Sequence, residues 1–187
     1  MLDFLARVIA SLARRMRHVI VLMHARKNSR ESIKRRQGNN ILVICYGNIY
    51  RSPLAEYLLK KSCPPKMFNI DSAGFHRKEN RPCDPEYLKL LEEHGYDLSE
   101  HRSRLIMSSD ISWADIILIM DRYNWDMLKT MDENCIRKTV WIGALSNKKR
   151  VEVDDPYGKG YTFTKGIIGD IEVCIQDICL ELSKPRI

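Results

Sequence analysis

Between residues 41 and 59 the chain reads ILVICYGNIYRSPLAEYLL. Cys45 and Arg51 bracket a short stretch holding Gly47 and Asn48, and Ser52-Pro53 follows. A thiol, turn-forming residues and a guanidinium this close together read as one device. A loop turning from a strand into a helix gathers backbone N–H groups around a point, and the helix N-terminus adds partial positive charge. Such a nest holds a tetrahedral oxyanion. Gly47 and Asn48 are residue types that accept the positive φ of a tight curl. Arg51 offers a planar fork for two oxyanion oxygens. The same field favours the thiolate of Cys45, the form that attacks. Tyr46, Ile49 and Tyr50 complete the phosphate-sized loop. The chemistry implied is nucleophilic displacement by sulfur on an anion held in the nest. A nucleotide P-loop is excluded, because no GK[ST] follows.

A departing oxygen needs a proton. EVDDPYG at 152–158 offers two carboxylates, Asp154 and Asp155, and residue type alone does not choose between them. The six cysteines (Cys45, Cys63, Cys83, Cys135, Cys174, Cys179) are scattered with no CxxC pair. That is neither a disulfide framework nor a zinc site, so no metal and no cofactor are expected.

The elements that would position these groups alternate. Residues 41–44 read as a buried strand, and 52–61 as a helix with Ser52 as N-cap and Pro53 at its first position. Strands follow at 67–72, 114–120 and 139–142. Helices follow at 85–94, stopped by Gly95, and at 121–131. A long last helix at 162–182 carries Phe163, Ile167, Ile171, Val173, Ile175, Ile178 and Leu182 as its apolar set. The fold expected is α/β, a four-stranded parallel sheet with helices on both faces. In such sheets the site lies at the carboxyl ends of the strands, where Cys45 falls.

The whole chain of 187 residues suits one domain, with 44% apolar and 29% charged residues. Its net charge of +7 is unevenly spread. Residues 1–40 hold ten Lys/Arg against Asp3 and Glu31, a net +8, and the remainder holds 21 basic and 22 acidic residues, a net −1. A near-neutral body argues against nucleic-acid binding. The division expected is 1–39, a basic amphipathic helix and linker, and 40–187, the catalytic domain. Leu2, Leu5, Val8, Ile9, Leu12, Met16, Val19, Ile20 and Met23 share one face of a helix over 1–26. Arg7, Arg14 and His18 lie opposite, Arg15, Arg17 and Arg26 flank it, and 27–40 reads as a polar linker. Four uses of that helix stand: resting on an anionic membrane surface, pairing with a partner helix, targeting, or packing on the body. No run of 18 apolar residues is present. With no secretory signal, reduced thiols and a cytoplasmic setting are expected, peripheral at a membrane if the helix binds one.

VICYGNIYRSPLAE closely resembles the signature of the low-molecular-weight protein tyrosine phosphatases, C-x-G-N-x-x-R-S followed by Pro or Thr. DSAG at 71–74, HGYDLSEHRSR at 94–104, ADIILIMDRYN at 114–124 and DDPYG at 154–158 are similar to further blocks of that family, so the resemblance covers about 40–184. It implies the flavodoxin-like, phosphotyrosine phosphatase I-like fold and hydrolysis of phosphotyrosine in proteins through a cysteinyl-phosphate. It makes Asp155, before the Pro, the general acid ahead of Asp154, and places Tyr157 at the pocket mouth. It has Asn48 bonded to Ser72 and His101, Ser52 donating to the Cys45 sulfur, and Asp121 near the second step. Taken without the resemblance, Ser52 and Asp121 are equally helix caps, and His101 is a surface or satisfied histidine.

Two departures matter. Most members carry a second cysteine where this chain has Tyr50, and that neighbour can trap an oxidised nucleophile as a disulfide. The loop GFHRKENRPCD at 74–84 shows His76, Arg77 and Lys78. They form either a basic rim suited to acidic phosphopeptides or a solvated charged loop. The competing functions are an arsenate reductase on the same fold, needing relay cysteines such as Cys83 or Cys135, and a non-catalytic phosphate-binding adaptor.

Overall fold

The computed structural model describes residues 2–63, 67–147 and 150–184, with the backbone alone for 2–11, 13–15, 17 and 18. β1 (Asn40–Cys45) runs inside a wholly parallel sheet ordered β2 (Asn69–Gly74), β1, β3 (Ile116–Ile119), β4 (Thr139–Trp141). The apolar run of β1 lacks polar alternation because helices cover both sheet faces. Ile41, Val43 and Cys45 point into a core built with α2 (Arg51–Ser62), α3 (Pro85–Glu93) and α6 (Tyr161–Leu182). Leu42 and Ile44 point into a second core with α4 (Ser108–Trp113) and α5 (Arg122–Met131). The expected α/β architecture is the one observed. β1 and β2 align Cys45 with Gly74, so the loops leaving both strands meet at one level.

Several expected boundaries move. β2 starts at Asn69 rather than 67, and α4 and a 3₁₀ turn (Glu133–Lys138) occupy stretches whose sequence predicts no element. In α6 the side chains of Phe163 and Val173 are exposed, and Ile168 and Cys174 fill the core instead.

The largest correction is at the front of the chain. α1 runs Leu2–Lys34, so residues 27–34 are helix and not linker. The reason is that this half of α1 lies along the open edge of the sheet. Ser29, fully buried, accepts the β4 amide of Trp141 at 3.1 Å. Ser32 donates to the Arg137 carbonyl at 2.9 Å, and Arg36, just beyond the helix, donates to that of Leu182 at 2.9 Å. Arg26 reaches the carbonyls of Ala144 and Ser146 at 3.1 and 2.6 Å. An edge strand presents unpaired backbone groups, and polar side chains satisfy them. Such a face carries no apolar period to read. Ala25 and Ile33 are the apolar anchors, one in each core.

Farther forward, Leu12, Met16, Val19, Ile20 and Met23 form the exposed apolar face of α1, each between 51% and 73% accessible. Leu2, Leu5, Val8 and Ile9, and the arginines Arg7, Arg14, Arg15 and Arg17 with His18, lie outside the described side chains. Among the described residues no helix is long and apolar enough to cross a membrane.

Candidate active site

The strand–loop–helix from Cys45 to Ser62 closes the carboxyl end of β1. The curl is made by Asn48, which takes φ = +51°; Gly47 keeps a negative-φ backbone, contrary to expectation. Asn48 accepts the left-handed region because its side chain is tied down. Its Nδ2 donates to Ser52 Oγ at 3.0 Å and to Ser72 Oγ at 2.9 Å, and its Oδ1 accepts the Arg104 amide at 3.0 Å. Its carbonyl accepts from His101 Nε2 at 2.8 Å, which puts the His101 proton on Nε2. Ser72 in turn donates to Glu56 Oε2 at 2.6 Å. The loop lies close against β2. A Cβ on Gly74 would stand 2.7 Å from the Tyr46 carbonyl and 2.9 Å from the Asn48 amide, so only glycine fits there.

Ser52 is not the helix cap it was expected to be. α2 begins one residue earlier, with Tyr50 in the cap position and no side-chain cap bond. The Ser52 hydroxyl lies 3.0 Å from Cys45 Sγ. Because its oxygen already accepts from Asn48, its proton is available to the sulfur. The Asn48 amide adds a second donor at 3.2 Å. Cys45 sulfur is thus held by two donors at the start of a 12-residue helix.

Arg51 is 1% exposed, and its fork meets two carboxylates. Nη1 donates to Asp121 Oδ2 at 2.6 Å and to the Val153 carbonyl at 3.0 Å; Nη2 donates to Asp155 Oδ2 at 2.5 Å. Burial works against the cation. The negative charges of Cys45, Asp121 and Asp155 outweigh it and push Arg51 above the ordinary arginine range. Its Nε–H is buried with no acceptor among the described residues. Asp121 also caps α5, as its alternative reading expects, accepting the Asn124 amide at 2.8 Å.

Of the two candidate acids, the fold brings Asp155 to the site and turns Asp154 away. Asp155 Oδ1 accepts the Tyr157 amide at 3.0 Å, fixing the Asp-Pro-Tyr turn. Both oxygens of Asp154 are engaged by Arg150, at 2.7 and 2.8 Å, on the solvent side. A pocket of about 200 Å³ opens between these groups, lined by Cys45, Tyr46, Gly47, Ile49, Tyr50 and Arg51 of the loop and by Asp155, Tyr157, His76 and Arg81 from elsewhere in the chain. Tyr50 packs its ring on Tyr87 (centroids 4.8 Å apart) and edge-on to Tyr157 (6.4 Å). Burial, then the charge and hydrogen bond of Asp84, push the Tyr50 phenol well above its usual range. Tyr46 sits between His76 and Tyr123, at 5.6 and 5.5 Å.

All the expected site residues therefore converge. Others escaped the sequence reading. Glu56 precedes Lys60 by one helical turn and reads as a surface ion pair, which it also makes. Arg81 stands in a charged loop with no periodicity to single it out. Tyr87, whose hydroxyl holds the Tyr50 carbonyl at 3.1 Å, looks like ordinary core. Cys135 belongs to the core on the opposite sheet face from Cys45, so it cannot serve as a relay thiol. Cys83 shares the Cys45 core, and burial pushes its thiol up to about 12. Among the described residues no cluster of potential metal ligands occurs.

Residues 40–186 match the family described as low molecular weight phosphotyrosine protein phosphatase. The chain is 36% identical over 122 residues to a probable low molecular weight protein-tyrosine-phosphatase, EpsP, of Ralstonia nicotianae, a span covering 65% of this chain and 81% of that one. The solved tyrosine phosphatase AmsI of Erwinia amylovora superposes with a TM-score of 0.73 at 30% identity, covering 79% of this chain and 95% of that one. The YwlE arginine phosphatase of Geobacillus stearothermophilus superposes with a TM-score of 0.69 at 26% identity, covering 77% and 92%.

Proposed function

The chain belongs to the low molecular weight phosphotyrosine protein phosphatase family, and on that premise we propose that it hydrolyses phosphotyrosine in proteins through a cysteinyl-phosphate. The observation that carries the assignment is the arrival of Asp155, 104 residues from Arg51 along the chain, at the pocket that Cys45 and Arg51 line. Residues 40–187 form the catalytic domain. The phosphate enters the loop of residues 46–51, and its oxygens take the Arg51 fork, including the Nε–H that now lacks an acceptor. Asp155 and the phosphate compete for the same guanidinium, so the arriving dianion frees the carboxyl to face the leaving oxygen.

Cys45 sulfur then attacks phosphorus in line, and the P–O bond to the tyrosine breaks. Asp155, which takes up a proton from solvent once the incoming dianion has displaced it from Arg51, gives that proton to the departing phenolate, so neutral tyrosine leaves. Charge spread over the equatorial oxygens is held by Arg51 and the loop amides. In the second step Asp155 takes a proton from water as the water attacks phosphorus, and the S–P bond breaks. Ser52 and the Asn48 amide hold the sulfur as it leaves with its electron pair. Asn48, Ser72 and His101 keep the loop curled throughout. The test is hydrolysis of para-nitrophenyl phosphate and a phosphotyrosyl peptide by wild type and Cys45→Ser. A loss of about a thousandfold or more is expected. Unchanged activity in the variant, or none in the wild type, overturns the assignment.

The forward half of α1 has a use of its own in this reading: it rests on an anionic membrane surface and holds the enzyme there. Two features support this: the exposed apolar face from Leu12 to Met23, and the charge ahead of Arg26, where Arg7, Arg14, Arg15 and Arg17 stand against Asp3 alone. Pairing with a second copy would set those cations against one another. Co-sedimentation of the full chain with phosphatidylserine vesicles, lost for neutral vesicles and for Met16→Glu/Met23→Glu, is the expected result. Equal pelleting of both proteins removes the idea.

A further inference from the structure

The loop between β2 and α3 puts a guanidinium on the lip of the pocket. Arg81 Nη2 donates to the Gly47 carbonyl at 2.5 Å, and its Nε donates to the Lys78 carbonyl at 2.9 Å. Its backbone is pinned as well. The Arg81 amide donates to Ser103 Oγ at 3.0 Å, and the Arg81 carbonyl accepts the Ser103 amide at 2.9 Å, with Ser103 buried. The side chain is thus held in place, beside the peptide that forms the phosphate loop itself.

Its charge is not neutralised. Every bond Arg81 makes is to a neutral carbonyl or hydroxyl, and among the described residues no carboxylate lies within ion-pair distance of it. Arg51, Arg104, Arg122 and Arg150 each have one. Arg81 Nη1 carries two N–H groups with no partner among the described residues. Of the acids in its loop, Glu79 accepts the Leu105 amide at 2.7 Å, and Asp84 caps α3, accepting the Glu86 and Tyr87 amides at 3.0 and 3.2 Å. Arg77 and Lys78, both exposed, add to the positive field on this side, while His76 on the pocket wall accepts the Lys78 amide at Nδ1 at 3.0 Å. Tyr50, Tyr157 and Asp155 also line the pocket, and the Asp155 carboxylate would repel an acid on its side.

We infer that the substrates of this site are phosphotyrosines with a carboxylate close by in the chain, and that the fixed Arg81 guanidinium receives that carboxylate. This rests on the phosphotyrosine reading above and narrows it to acidic sequences. Arg81 sits one peptide from the phosphate cup, and an extended chain advances about 3.4 Å per residue. The acid therefore falls within about two residues of the phosphotyrosine. A pre-held guanidinium gives a charge-assisted, planar contact and loses little side-chain freedom when it binds. The lip is half open to water, which limits the gain to about three- to tenfold.

The test compares full-length wild type with Arg81→Gln on three phosphotyrosyl peptides, flanked by Glu, Ala or Lys. In wild type, kcat/KM for the Glu peptide should exceed that for the Ala peptide by about three- to tenfold, mostly through KM, and the Lys peptide should fall below both. In Arg81→Gln the three values should converge, whatever loss they share from the weakened Gly47 contact. The wild-type preference should also fade as salt is raised from about 0.02 to 0.5 M. This last arm stands even if the variant folds poorly. Equal wild-type values for the three peptides, or a preference surviving in Arg81→Gln, reduces Arg81 to a brace for the loop and overturns the proposal. Absence of hydrolysis of the Ala peptide and of para-nitrophenyl phosphate by wild type would instead strike the phosphatase reading beneath it.

Discussion

Replacing Asp155 by Asn isolates the proton-transfer step. The amide keeps an oxygen to accept the Tyr157 amide, now at 3.0 Å, so the Asp-Pro-Tyr turn has no reason to open. Contact with Arg51 Nη2 is lost, because both groups would be donors. Arg51 still holds Asp121 at 2.6 Å and the Val153 carbonyl at 3.0 Å, so the phosphate cup stays built. What disappears is the acid. A positioned general acid contributes about 10²- to 10⁴-fold, or about 2.7 to 5.4 kcal/mol of barrier. The loss should depend on the leaving group. Tyrosine leaves as a basic phenolate and should suffer the whole effect, whereas para-nitrophenolate leaves nearly unaided and should suffer about tenfold or less. The assay is kcat/KM across a series of substituted phenyl phosphates, with Asp154→Asn as control. Asp154 faces Arg150 at the surface, and such exposed pairs are worth about 1 kcal/mol at most. A uniform loss across all leaving groups, or greater damage from Asp154→Asn, would refute the assignment of the proton to Asp155.

Gly74→Ala should push the phosphate loop off β2, since its methyl would overlap the Tyr46 carbonyl and the Asn48 amide. Urea unfolding should register about 1–3 kcal/mol of destabilisation, and kcat should fall by about tenfold or more, since small displacements of reacting groups are costly. Ser29→Ala strands the buried Trp141 amide and should cost about 1–3 kcal/mol in the same assay, whereas Arg30→Ala, on the exposed side of the helix, should stay within about 0.5 kcal/mol. Equal values for the two would mean that α1 does not brace the sheet edge. Tyr50 leaves Cys45 without an adjacent thiol, so mild peroxide treatment of wild type should be poorly reversed by dithiothreitol unless Cys83, buried in the same core, reaches the oxidised sulfur. Tyr50→Cys should recover, and full recovery of wild type would contradict this reading.

Much of the site was legible because its parts lie together in the chain. From Cys45 to Ser52 nucleophile, curl and guanidinium are consecutive, and their spacing carries the geometry directly. The central strands were legible for the same reason: β1 and β3 are local apolar runs, whereas β2, NIDSAG, is not, and its expected bounds shifted. The unaided reading could not choose between Asp154 and Asp155, adjacent in sequence and alike in chemistry. The choice depends on Arg150 and Arg51, which draw the two carboxylates in opposite directions. Nor could it give Ser52 its task, since a serine at a helix start serves as cap or donor according to where the sulfur and Asn48 lie.

The sequence by itself determined the chemistry available, a thiol and an arginine on an anion-holding turn, and the α/β order that delivers them to a strand end. The tertiary structure alone decided who meets whom. It closed Asp155 onto Arg51, 104 residues away, and stood Arg81 against the Gly47 carbonyl. It also turned a polar stretch of α1 into a cover for the β4 edge. Local patterns record which residues face a core, because burial leaves a period. Hydrogen bonds and ion pairs between distant segments leave none, and those contacts set the roles in this site.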